Sequence, residues 1–213
     1  MGSPVNILVL LSALAATSAA LSCVECSSSS STCTGSSVTC TSGYMCGSEY
    51  TETVAGGSTS VSLTRSCVAS SQCSFTASLT TSQGKIRMAT SCCNNDNCTA
   101  ALPTLPAQSS NSNGVTCRSC VSADSTWCYT SDTIQCTGNE TMCILQTTQI
   151  TGLLSTAVRG CSTKSLCDLG SQSTSVEGTA IKVQFICTSG GTRVHEVLLT
   201  PAIVCLLLLK VFF

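Results

Sequence analysis

The chain has 213 residues, of which 9% are charged and 4% aromatic, and its formal net charge is −1. A near-neutral balance without a Lys/Arg cluster excludes a polyanion-binding protein, so no nucleic-acid partner is expected. With one histidine and few aromatic side chains, the 19 cysteines become the informative residues.

The chain opens on "ILVLLSALAATSAA", a short apolar run ending in small residues. This is the pattern of a secretory signal peptide over residues 1–20, with Ser18 and Ala20 suited to positions −3 and −1 for cleavage after Ala20. The n-region lacks Lys and Arg, and a buried helix is the alternative reading. Export implies an oxidising compartment, where 18 of the 19 cysteines lie between Cys23 and Cys187. An even number there is expected to pair, each bridge adding roughly 2–4 kcal/mol. Beyond residue 20 the chain is mostly polar and rich in Ser and Thr, so bridges stand in for a large core.

From Cys23 the cysteines run C-x2-C-x6-C-x6-C-x5-C-x20-C-x5-C-x18-CC-x4-C, and from Cys117 they run C-x2-C-x7-C-x7-C-x6-C-x17-C-x5-C-x19-C. One module is present twice. Between the copies, "AALPTLPAQSSNSNG" at 100–114 has two prolines and a Ser/Asn/Gly run and reads as a linker that does not pack. In the first module, "YMCGSEYTE" and "SVSLTRSCV" flank Gly56-Gly57, which supplies the positive φ of a tight hairpin turn. "KIRMATSC" then alternates Ile86 and Met88 against Lys85 and Arg87, the period of a half-buried strand. "TAIKVQFIC" does the same in the second module, with Ile181, Val183 and Phe185 on one face. Neither module contains a helix-period stretch.

The opening "LSCVEC" and the closing "CCNNDNCT" are close to L-x-C-x-x-C and C-C-x-x-D-x-C-N, and on these motifs and the spacing the chain resembles the three-finger family of lymphocyte-antigen and urokinase-receptor (uPAR) domains. The resemblance covers residues 21 to about 188. It implies an all-β, disulfide-rich protein of two tandem three-finger domains, at 21–99 and 115–189. Spacing alone leaves the connectivity open, since ten cysteines admit on the order of a thousand pairings. The family pattern implies Cys23–Cys46, Cys26–Cys33, Cys40–Cys67, Cys73–Cys92 and Cys93–Cys98, then Cys117–Cys143, Cys120–Cys128, Cys136–Cys161 and Cys167–Cys187. Two departures stand out. Thr99 occupies the place of an Asn that ties the family's termini together, and the second module ends "FICTSGG" without the closing C-C-x-x-D-x-C. Its end must be held otherwise, as by packing on the first module.

Zinc or redox roles for Cys23-x2-Cys26 and Cys117-x2-Cys120 need reduced thiolates or a βαβ context, and structural bridges fit this compartment better. Catalysis finds no inventory. The sole histidine, His195, falls outside the expected mature chain, every mature cysteine is expected to be bridged, and Glu25, Asp96, Asp124 and Asp168 read as solvated or turn-capping acids, with Asp96 accepting turn hydrogen bonds. No cofactor or metal is expected. Asn139-Glu140-Thr141 is an N-glycosylation acceptor, whereas Asn97-Cys98-Thr99 fits only formally, with a bridged cysteine at its centre. "SSSSST" at 27–32 fills the first finger's tip as a flexible polar loop, in preference to an O-glycosylated one. Ile150, Leu153 and Leu154 fall at the tip of the second module's central finger, either as a partner contact or buried against the other module. Trp127 and Tyr129, flanking Cys128, are equally core cover or recognition surface.

The chain closes on "TSGG", the spacer "TRVHE" and the apolar run "VLLTPAIVCLLLLKVFF". Ser189, Gly190 and Gly191 suit a GPI attachment site with 190–213 as its removed signal. A tail-retaining membrane protein is the rival. The expectation is a non-enzymatic protein on the extracellular face of the plasma membrane, lipid-anchored and in part released, that binds an unidentified extracellular protein in an adhesion, receptor or modulator role. The alternative is a phospholipase inhibitor, because the two-domain layout is also similar to the gamma-type inhibitors of snake serum, which are secreted without an anchor.

Overall fold

Strands rich in Ser and Thr have little apolar surface to bury, and they are held where their cysteines are. The computed structural model describes residues 20–176 and 179–189. The expected signal peptide, Ala20 apart, and the expected anchor signal at 190–213, with His195 and Cys205, lie outside the described residues.

In the first module β1 (Ser22–Ser28) pairs with β2 (Ser36–Thr39) and with β4 (Ser58–Ala69), which forms the central hairpin with β3 (Tyr44–Ala55). That hairpin closes over Gly56 and Gly57 at φ 58° and 79°, the mirror-image turn that suits strand twist. The third finger is β5 (Thr76–Thr81) and β6 (Gly84–Cys93), with β6 lying between β5 and β3. Five bridges join Cys23–Cys46, Cys26–Cys33, Cys40–Cys67, Cys73–Cys92 and Cys93–Cys98.

The second module repeats the plan with changes. β7 (Ser112–Arg118) and β9 (Thr133–Thr137) form a separate ribbon, and β8 (Cys120–Ser122) pairs with β11 (Leu154–Ser162). β10 (Met142–Ile150) lies between β11 and β13 (Thr179–Ser189), and β12 (Ser171–Val176) covers the outer edge of β13. Four bridges join Cys117–Cys143, Cys120–Cys128, Cys136–Cys161 and Cys167–Cys187. Ile181, Val183 and Phe185 are half-buried while Ala180, Lys182 and Ile186 are exposed, the alternation expected of this strand.

Two expectations are corrected. The segment at 100–114 packs: Ala100 is buried, its carbonyl accepts from Ser48 Oγ, and the Pro106 carbonyl accepts from Arg87 Nη1. Proline holds the segment extended, so its free carbonyls meet donors on the face of the first module's sheet. β7 also begins at Ser112, inside that stretch. Helix among the described residues amounts to one turn, α1 (Lys164–Cys167), and a 3-10 turn at Ser70–Gln72, both too short to show a 3.6-residue period, which agrees with the lack of a helix-period stretch. Asp96, read as a local turn acceptor, instead takes the Ser22 amide at 2.7 Å across 74 residues. With Asn97 N donating to the Ser22 carbonyl and Ser37 Oγ to Asn97 Oδ1, this tie takes the role expected of the missing Asn at position 99.

The modules share one sheet. β5 pairs with β11 through Thr80–Cys161 and Leu79–Ser162, giving the order β12-β13-β10-β11-β5-β6-β3-β4-β1-β2 with β8 branching from β11. On one face of this junction Ala77 and Leu79 bury against Ile144 and Leu166, with Phe75, Ile86, Met88, Val158, Phe185 and Cys187 around them. Phe185 and Cys187, on the strand that ends the second module, pack against this cluster, and Cys187 is bridged to Cys167. Gly160 sets the approach, because a Cβ there would lie 2.1 Å from the Thr80 carbonyl oxygen. Gly160→Val is expected to lower stability by about 2–3 kcal/mol through forced separation of β5 and β11. Denaturant unfolding of the two-module protein checks this, and an unchanged midpoint would show that the contact carries no strain.

Candidate functional site

The densest chemistry in the described residues is sulfur. Cys23, Cys40 and Cys67 gather in the first module and Cys117, Cys136 and Cys161 in the second, each set with its Sγ atoms within 4.8 Å of one another. Stacked bridges cause this: Cys40 Sγ lies 3.1 Å from Cys23 Sγ, and Cys136 Sγ 3.3 Å from Cys117 Sγ. Every sulfur of both sets is in a disulfide, so neither offers a thiolate to a metal. The four acids singled out in the sequence are not brought together. Asp96 holds the Ser22 amide, Asp124 accepts from Ser122 Oγ, Asp168 pairs with Lys164 at 2.5 Å, and Glu25 stands exposed on β1. Desolvation raises the Glu49 carboxyl above its ordinary value, in a hollow beside Phe75, Met88 and Leu169.

A fifth acid is better placed. Glu140 is only 1% exposed, and its Oε1 accepts from Ser78 Oγ at 2.7 Å and Thr80 Oγ1 at 2.8 Å and faces Lys85 Nζ at 3.3 Å. All three partners belong to the first module, on β5 and β6. Asn113 Nδ2 fixes the loop behind it by donating to the Gly138 and Glu140 carbonyls. Glu140 also lines a polar cavity of about 170 Å³ with Ser109, Thr163 and Ser165, and its Oε2 has no hydrogen-bond donor among the described residues. The cavity is large and polar enough for water. Further bonds cross the junction: Thr163 N to the Ser78 carbonyl, Ser78 N to Thr163 Oγ1, Ser165 Oγ to the Thr76 carbonyl and Ser82 N to Ser119 Oγ. β5 is thus gripped along its edge, by apolar side chains on one face and by Glu140 on the other. This geometry is structural glue.

The candidate recognition residues face outward. The turn 151–153 between β10 and β11 leaves Leu153 74% and Leu154 46% exposed, with Ile150 half-buried beneath them, so none of the three is buried against the first module. Trp127 and Tyr129 are 56% and 81% exposed, Trp127 under the Arg159 guanidinium at 4.1 Å and Tyr129 near Arg118 at 5.6 Å. Asn139 lies exposed in the turn after β9, and Thr141 is exposed as well. Asn97, at φ 53°, has its side-chain oxygen engaged by Ser37. Ser189 is the exposed last residue of β13 and pairs with Met142, at the end of β10 opposite the Ile150 tip. No helix among the described residues is long and apolar enough to cross a membrane.

A family model of the u-PAR/Ly-6 domain matches residues 19–101 and again residues 113–192. The chain belongs to the u-PAR/Ly-6 domain family and carries that domain twice. Among solved structures, that of mouse TEX101 is similar at 22% identity, over 73% of this chain and 87% of that one, with a TM-score of 0.32. Membership is consistent with a non-enzymatic protein of the cell surface.

Glu140 and Gly160 carry no signal of their roles in the sequence. Glu140 is visible there only as the middle of a glycosylation triplet, and a charged residue in that place gives no sign of burial. Glu140→Ala is expected to cost about 2–3 kcal/mol by leaving Ser78, Thr80 and Lys85 without their acceptor, and Glu140→Gln less. Both variants keep the N-x-T triplet, so urea unfolding of equally glycosylated proteins isolates the junction. Equal stability of all three would remove Glu140 from the junction's energetics.

Proposed function

We propose that this chain is a non-enzymatic protein of the extracellular membrane surface, attached through a glycolipid at Ser189, that binds an extracellular protein partner through the tip of its second central finger. The observation that carries the reading is the placement of Leu153 and Leu154. Two large apolar side chains stand exposed on a hairpin tip, where folding gains nothing from them and a partner's pocket gains much. The tip is also at the far end of β10 from Ser189. Ile150 lies eight residue steps along the strand from Met142, the partner of Ser189, so the tip stands about 27 Å from the attachment end.

The anchor reading is supported by the order of small residues, polar spacer and apolar run after Cys187. Treatment of expressing cells with phosphatidylinositol-specific phospholipase C is expected to release the protein into the medium. Retention on the membrane of a form that still carries Phe213 overturns the anchor. The released protein is then screened against an array of extracellular proteins beside a Leu153→Ser, Leu154→Ser double variant. The double variant is expected to bind the wild-type partner at least about tenfold more weakly, with an unchanged melting temperature. Equal binding by both would place the contact elsewhere.

A further inference from the structure

A second exposed apolar surface lies at the opposite end of the same module, beside Ser189. Ile186, Leu145 and Arg159 are directly opposite one another on β13, β10 and β11, so their side chains share one face of the sheet. Trp127 stacks over that face against Arg159. With Arg118 and Thr188 these residues line an open groove of about 420 Å³. Trp127 and Ile186 are each more than half exposed, Tyr129 stands outside at 81%, and the Arg159 Nε is buried without an acceptor among the described residues. Among those residues, two guanidinium groups line the groove and no carboxylate does.

Position and chemistry coincide here. Thr188, in the groove wall, precedes Ser189, and the apolar run beginning at Val197 starts eight residues later, at most about 28 Å of extended chain. A lipid on Ser189 or an embedded apolar run would each hold the groove within a short tether of the bilayer, at high effective concentration. Indole, phenol and guanidinium groups around an aliphatic side chain are the composition favoured at a membrane's headgroup layer, where aromatic rings sit at the interface and cations meet phosphate. A lining without carboxylates spares lipid phosphate the repulsion it would otherwise meet.

We propose that this groove is the membrane-facing surface of the protein. Trp127, Tyr129 and Ile186 sit at headgroup level of a phospholipid bilayer, while Arg118 and Arg159 take lipid phosphates. The contact fixes the orientation of the two modules and turns the Leu153–Leu154 tip away from the lipid. It rests on the membrane attachment argued above.

Trp127 is the single tryptophan of the chain, so tryptophan emission, excited selectively over the tyrosines, reports on this groove alone. Protein purified from the membranes of expressing cells, with its membrane attachment intact, is reconstituted into phosphatidylcholine vesicles, with and without lipid brominated near the headgroup, and incorporation is checked by flotation. Trp127 emission is expected to shift to the blue and to be quenched by the brominated lipid. Ile186→Asp, and separately Tyr129→Ser at its exposed position, are expected to lose most of that quenching while still floating. Protein that floats but keeps a water-exposed, unquenched Trp127 overturns the proposal and leaves the anchor standing, with the groove then free for a protein partner. Protein that does not float refutes the attachment, and the proposal falls with it.

Discussion

The two modules form one body because position 160 has no side chain. β11 can lie within hydrogen-bonding reach of the open edge of β5 only where nothing intervenes, and at Gly160 the Thr80 carbonyl occupies the space that a Cβ would need. Once that edge is paired, Leu79 and Ala77 are carried against Ile144 and Leu166 on one face, and Ser78 and Thr80 are carried to Glu140 on the other. The largest apolar cluster of the described residues therefore lies between the modules, and neither module could assemble it alone. An exposed strand edge is a hazard for self-association, and the pairing with β11 covers it.

Within each module, sulfur sets the geometry. Cys23, Cys40 and Cys46 are buried in the first, and Cys117, Cys136 and Cys161 in the second, forming small cores from which the fingers extend. The fingers tolerate polar faces because their bases are cross-linked. The first module adds a small loop closed by Cys93 and Cys98 and drawn onto Ser22 by Asp96 and Asn97. The second has no such loop among the described residues, and its last strand is held between β10 and β12 and packed against the cluster at the junction. One structural role is thus filled by a bridge in one copy and by packing in the other.

How much of this was legible in the sequence depends on the range of each signal. Cysteine spacing, the Gly56-Gly57 turn and the alternation of Ile181, Val183 and Phe185 are local, and each needs only its neighbours to be interpreted. Gly160, Glu140 and the carbonyls of Ala100 and Pro106 act on partners in distant segments, so nothing beside them in the chain marks them out. The prolines of the segment at 100–114 are a correct sign of extended backbone and a poor guide to packing, since a chain without regular structure can still offer its carbonyls to a neighbouring sheet. Lys85 and Arg87 illustrate the same limit. Their alternation with Ile86 and Met88 indicates a strand, but the polar face is covered by Glu140 and Pro106.

The shared sheet also gives the protein a timetable. On the ribosome β5 is made some 80 residues before β11, an interval of roughly 4 to 16 seconds at about 5–20 residues per second. The first module already has its five bridging pairs by Cys98, so it can close while the edge of β5 is still bare and Ala77 and Leu79 still face solvent. For that interval the nascent chain presents a strand edge and an apolar face to whatever surrounds it. The second module, on arrival, covers that surface and acts as the first module's permanent chaperone.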